Sequence, residues 1–102
     1  MAQLKGMEIR VYGKETCGIC KEAKENIKKA IINNKVESLV KLVELDIEKD
    51  VDALAEYTVF GTSIVPVIEF KDLDTEVSSK GKGIAPSLDY LKSYFITKGY
   101  IN

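Results

Sequence analysis

At 102 residues the chain has the length of one domain, and its 45% hydrophobic content suits one modest core. Lysine plus arginine and aspartate plus glutamate nearly cancel, 15 against 16, which leaves no basic excess with which to hold nucleic acid. No apolar run approaches the roughly 20 residues of a membrane span, and Met1 to Arg10 lacks the apolar stretch of a signal peptide, so a cytoplasmic protein away from membranes is expected.

In chain order, Met1 to Gly6 reads as a loose leader. Met7 to Tyr12 alternates, with Met7, Ile9 and Val11 on one side and Glu8, Arg10 and Tyr12 on the other, which predicts a strand. Gly13 to Thr16 is the loop that delivers Cys17. From Cys20 onward the apolar positions Cys20, Ala23, Ile27, Ala30 and Ile31 fall at three- and four-residue spacing, with Lys21, Lys24, Glu25, Lys28 and Lys29 between them. That pattern predicts an amphipathic helix from about Gly18 to Asn33, ended by Asn33-Asn34-Lys35, residues that tolerate a left-handed turn. Leu39 to Ile47 is a β-branched, mostly apolar strand, so the three elements make a βαβ unit with parallel strands.

A second helix is predicted at about Lys49 to Tyr57, with Val51, Leu54 and Ala55 as its buried face and Gly61 as its stop. Ser63 to Phe70 is strand-like but holds Pro66, which removes a ladder donor. Placing Pro66 at the very start of the strand, in a tight connection of the kind that admits a cis bond, resolves the conflict. Lys71 to Asp74 then turns the chain and Thr75 to Ser79 returns antiparallel, before Gly81, Gly83 and Pro86 break it again. Leu88, Leu91, Tyr94 and Phe95 give a final helix, opened by Ala85-Pro86-Ser87 and closed near Gly99. Tyr57, Tyr90, Tyr94 and Tyr100 read as core and rim packing. The order is βαβ, α, ββ, α, an α/β fold of four strands and three helices.

The chemistry concentrates in Cys17-Gly18-Ile19-Cys20, which holds both cysteines of the chain. At the start of a helix the first-turn amides lack partners and the dipole leaves partial positive charge, so a thiolate at Cys17 is favoured over the thiol. Such thiols fall from about 8.5 into a range of roughly 3.5 to 7.5. Cys20, one turn in and on the apolar face, is the protected partner. With no histidine in the chain, a cysteine–histidine pair, a serine triad and a mixed cysteine–histidine zinc site are excluded. Two cysteines complete a thiolate zinc site only with carboxylates or a second chain, and no metal is expected. Gly81-Lys82-Gly83 is too short for a phosphate-cradling loop.

The chain resembles the glutaredoxin branch of the thioredoxin superfamily over nearly its whole length. The resemblance is carried by Val11 to Cys20 with Ala23-Lys24 behind them, by Ile64-Val65-Pro66, and by Gly81 and Gly83 before the last helix. It implies a thioredoxin fold, a four-stranded mixed sheet flanked by three helices. It further implies that Cys17 attacks, that Cys20 resolves, and that Pro66 is a cis-proline facing the dithiol. The backbone of Val65 would pair with a substrate peptide or glutathione, Lys14 would meet a glutathione carboxylate, and Thr16, Gly18 and Ile19 would border the substrate. The departures are Gly18 and Ile19 in place of the proline and tyrosine usual in glutaredoxins. Thr16 and Val11 stand where thioredoxins have a tryptophan and a buried aspartate, and Gly81-Lys82-Gly83-Ile84-Ala85 only partly echoes the glutathione-gripping loop.

The expectation is a monomeric thiol-disulfide oxidoreductase acting on protein or glutathione mixed disulfides, with no bound cofactor and glutathione as co-substrate. The alternatives are a glutathione-independent, thioredoxin-like electron donor served by a thioredoxin reductase, a carrier of an iron-sulfur cluster between two chains, and a binding module whose cysteines do no work.

Overall fold

The computed structural model describes residues 4–102. The elements follow as β1 (Met7–Gly13), α1 (Gly18–Asn33), β2 (Val40–Asp46), α2 (Val51–Val59), β3 (Val67–Asp72), β4 (Ser78–Lys82) and α3 (Leu88–Thr97). They build one four-stranded sheet in the order β2-β1-β3-β4. β1 runs parallel to β2 and antiparallel to β3, and β4 returns antiparallel on β3. This is the mixed sheet that the element order predicts.

The alternation in β1 sorts its residues onto two different faces. Met7, Ile9 and Val11 join Val40, Ile68 and Phe70 beneath Ala23, Ile27 and Ala30 of α1 and Leu91 and Phe95 of α3, forming the main core. On the other face Tyr12 and Val67 pack with Ile47 and with Tyr57 of α2. At its margin the same face turns ionic: Arg10 pairs with Glu8 at 3.0 Å, Glu56 of α2 at 3.5 Å and Glu69 at 3.7 Å. Tyr12, expected on the polar side of β1, is 1% exposed, and its hydroxyl donates to Glu56 at 2.7 Å.

α1 has the predicted bounds, and the left-handed residue after it is Lys35 (φ 55). Pro66 immediately precedes β3, and the Val65–Pro66 bond is cis. Four further expectations need correction. In α2 the buried residues are Ala53 and Tyr57, whereas Val51, Leu54 and Ala55 face outward, Val51 at 80% exposure. The helix starts two residues later than predicted because the Asp50 carboxylate caps it, accepting from the amides of Asp52 and Ala53. Tyr57 is anchored inward by its hydroxyl, which donates to the Ile64 carbonyl at 2.8 Å.

The last strand is Ser78–Lys82 rather than Thr75 to Ser79, and Gly81 lies inside it. Asp72 Oδ1 accepts from the amides of Asp74 and Thr75, and Glu76 takes φ 60, so the turn consumes the residues expected to extend. Of the predicted leader, residues 1–3 lie outside the described residues. Lys5 and Gly6 are tied down: both amides donate to the Asp74 carboxylate, at 2.9 and 3.2 Å. Gly6 is buried at φ +90, where a Cβ would overlap the Leu39 carbonyl. No helix among the described residues is long and apolar enough to cross a membrane.

Candidate active site

β1 ends at Gly13, whose carbonyl accepts from the amide of Ile47 at 3.0 Å. The chain turns through Lys14, Glu15 and Thr16, and the Cys17 amide closes the turn on the Lys14 carbonyl at 3.1 Å. Cys17 then stands as the N-cap of α1 in extended conformation (φ −89, ψ 111), and its sulfur accepts from the Cys20 amide at 3.1 Å. Sulfur thus takes the place that an oxygen of serine or aspartate takes at an ordinary helix start.

Cys17 is half-buried and Cys20 is 0% exposed. The two are joined as a disulfide with their Cα atoms 5.2 Å apart. Cys20 fits against the sheet because residue 13 has no side chain: a Cβ on Gly13 would sit 2.7 Å from Cys20 Sγ and 3.0 Å from its Cβ. Gly13 is therefore part of the site, although it reads in the sequence as a mere loop residue. A glycine closing a strand next to a cysteine motif was the available signal, since such glycines mark close approach of another group to the backbone.

The strand register brings the proline to the same end. Tyr12 pairs with Val67, so Gly13 and Pro66 lie at the end of the sheet that α1 starts from. Two bonds hold the Val65–Pro66 segment: Tyr57 Oη donates to the Ile64 carbonyl at 2.8 Å, and the Gly83 amide donates to the Pro66 carbonyl at 2.8 Å. Pro66 is buried and Val65 half-buried, while Thr16, Gly18 and Ile19 are exposed. At this end of the fold Ile19, Ile64 and Ile84 are 45%, 48% and 67% exposed and form an apolar fringe.

Lys14 is half-buried and lines a different opening, a cleft of about 300 Å³ shared with Ile47, Glu48, Leu54, Tyr57 and Ser63 on the α2 side. Its neighbour Glu15 is bound by Lys49 at 2.7 Å, which holds the Glu15 carboxyl below its ordinary range. Burial, then the hydrogen bond to Glu56, pushes the Tyr12 hydroxyl up to about 12, so it stays protonated at neutral pH. Val11, in the place of the thioredoxin aspartate, is 0% exposed in the main core. Among the described residues no group of three or more histidine, cysteine or carboxylate side chains is placed to hold a metal ion.

Comparison with known proteins bears on the fold and the family. Several thioredoxins of solved structure superpose on the chain. Chloroplastic thioredoxin z does so with a TM-score of 0.76 at 13% identity, covering 94% of this chain and 80% of that one. Thioredoxin-2 of the malaria parasite gives 0.67 at 15%, covering 90% and 82%. Thioredoxin O2 from Arabidopsis thaliana, in its oxidized state, gives 0.66 at 17%, covering 91% and 75%. At such identities the likeness shows the fold. No curated protein matches the sequence significantly. Residues 8–89, from the start of β1 into α3, match the family described as Glutaredoxin-like domain (DUF836). The chain belongs to this glutaredoxin-like family and has the thioredoxin fold.

Proposed function

We propose that the protein is a thiol-disulfide oxidoreductase that reduces disulfides in polypeptides. The observation that carries this reading is the asymmetry of the pair: Cys17 is a half-exposed sulfur at the cap of α1, disulfide-bonded to a Cys20 that solvent does not reach. In the reduced protein the first-turn amide of Cys20 and the helix dipole stabilise negative charge on Cys17, which makes it the attacking sulfur.

The Cys17 thiolate attacks one sulfur of the substrate disulfide, and the other sulfur leaves as a thiolate. Cys20 then attacks the Cys17 sulfur of the mixed disulfide and its proton goes to the departing substrate thiolate. The first substrate thiolate takes its proton from solvent, so the substrate gains two electrons and two protons in all, and the protein is left with the Cys17–Cys20 disulfide found here. A second thiol donor, glutathione or a thioredoxin reductase, resets the pair in a reducing compartment such as the cytoplasm.

The fringe of Ile19, Ile64 and Ile84 suits a polypeptide, with the half-buried backbone of Val65 available to pair with it. Glu48 shares the Lys14 cleft and disfavours a carboxylate there, which favours a donor other than glutathione. Trapping tests the order of roles. Cys20→Ser incubated with a disulfide-linked peptide accumulates a mixed disulfide on Cys17, visible by mass spectrometry, and Cys17→Ser accumulates none. Adducts on Cys20 in the Cys17→Ser variant would reverse the assignment.

A further inference from the structure

A second apolar opening lies beyond the dithiol on the α3 side of the sheet. It is a cleft of about 280 Å³ between β3, β4 and the first turn of α3, floored by Ile68 and Phe70 and walled by Ile84 and Tyr90. It exists because of what β4 lacks. Gly81 pairs with Ile68 and Ser79 with Phe70, so a glycine and a serine stand beside large residues on the core face. A Cβ on Gly81 would meet nothing within 4 Å. β4 has a neighbour on one side only, and its inward face leaves unfilled the space that a larger residue would occupy.

The chemistry of the cleft selects its occupant. Lys80, between the two small residues, sends its ammonium to the opposite face, 5.4 Å from the centre of the Phe60 ring. Lys80 and Ser79 line the opening along β4, but with the Lys80 ammonium turned to Phe60 the remaining walls are aliphatic and aromatic, better suited to an apolar group than to a carboxylate. Its far wall is continuous with the dithiol end. Ile84 follows Gly83, whose amide is bonded to the Pro66 carbonyl, and a Cβ on Gly83 would lie 3.1 Å from Ile64 Cγ2. Ile64 and Ile84 therefore bridge the cis-proline turn and the cleft.

We propose that this cleft is a second substrate subsite, which receives one large aliphatic or aromatic side chain of the polypeptide whose disulfide Cys17 attacks. The proposal rests on the oxidoreductase reading and names its substrate class: polypeptides with an apolar residue displaced along the chain from the reactive cysteine. A small disulfide or a charged tripeptide disulfide reaches the dithiol but leaves the cleft empty.

The test uses cysteine peptides joined by a disulfide to a chromophoric thiol, with one phenylalanine moved through successive positions on both sides of the cysteine in an otherwise alanine and serine chain. One position is expected to raise kcat/KM about tenfold or more over the all-alanine peptide, the gain from burying one such side chain. Gly81→Leu, which fills the cleft from its own wall, is expected to bring that ratio close to one. Equal rates for all peptides, with measurable turnover, overturn the subsite and leave the oxidoreductase reading standing. A phenylalanine preference that survives Gly81→Leu also overturns the subsite, placing the preference elsewhere. No turnover of any peptide or of the free chromophoric disulfide overturns the oxidoreductase reading, and the subsite with it.

Discussion

The two ends of the sheet differ in what they do with their polar and exposed groups. Where β1 begins, groups from distant parts of the chain close on one another. Asp74 accepts from the amides of Lys5 and Gly6, Asp72 accepts from Lys98 Nζ at 2.7 Å, and the Met7 amide reaches the Leu39 carbonyl at 2.8 Å. Where β1 ends, the cap of α1 is a sulfur, and the exposed Ile19, Ile64 and Ile84 stand at this end together with the exposed Glu15, Thr16 and Lys21. The comparison with the other helices sharpens the contrast: α2 is capped by the Asp50 carboxylate and α3 by the Ser87 hydroxyl. A bridged sulfur is a weak acceptor, whereas a thiolate is a charged one, so α1 gains a better cap on reduction than it has in the disulfide. Bonds between distant segments tie both ends, but the reactive sulfur lies at one of them, the open end, and the fastened end where β1 begins carries none.

If that division is correct, substitutions at the open end change redox behaviour and substitutions at the fastened end change stability. The largest effect is expected from Cys17→Ser, which abolishes disulfide reduction. Serine caps helices well, so the unfolding free energy of the reduced protein stays within about 1 kcal/mol of the parent in urea titration. Next is Gly6→Ala, where a Cβ meets the Leu39 carbonyl at a positive φ. It is expected to cost roughly 3 kcal/mol of stability, while the rate per folded molecule is unchanged. A Gly6→Ala protein of normal stability and altered redox equilibrium would break the division.

Gly13→Ala belongs to the open end and is expected to act through Cys20. The added Cβ crowds the Cys20 sulfur where the disulfide holds it, so the bonded state loses relative to the dithiol. The expected change is about tenfold in the redox equilibrium, or about 30 mV toward a more oxidising potential.

The smallest effect is a pH dependence at the fastened end. The hydrogen bond from Lys98, joined by the amides of Asp74 and Thr75, holds the Asp72 carboxyl below its ordinary value of 3.8. Lys98 is raised in turn, by the same bond. With the folded value depressed, the stabilisation is present above pH 3.8 and is lost as the pH falls through the lowered value. Asp72→Asn is therefore expected to lower Tm by a few degrees at neutral pH, with the gap to the parent closing below about pH 3.8. A gap that stays constant to lower pH would remove the ion pair from the account.

The legibility of the sequence follows the same contrast between strong and weak local signals. α1 could be read to the residue because five apolar positions and the surrounding lysines leave one face to bury, and the cysteine motif marks its start. Pro66 could be placed because proline fits a strand at few positions. α2 could not be oriented. Val51, Leu54 and Ala55 form a plausible buried stripe, but the Asp50 cap and the inward hydroxyl of Tyr57 set the helix with Ala53 and Tyr57 against the sheet. β4, Ser-Ser-Lys-Gly-Lys, has neither alternation nor β-branched residues, and only its pairing with β3 defines it. Gly13 and the empty space beside Gly81 are contacts of the folded chain, invisible to any periodicity.

The central claim is that Cys17 and Cys20 form a reversible dithiol. The most direct measurement equilibrates the protein in a series of glutathione and dithiothreitol redox buffers and follows both cysteines by mass spectrometry after acid quench and alkylation. A reversible dithiol gives a single two-electron transition between dithiol and intramolecular disulfide at about −270 to −200 mV, the span from thioredoxins to glutaredoxins. A disulfide that resists reduction below about −300 mV, as structural bridges do, would contradict it.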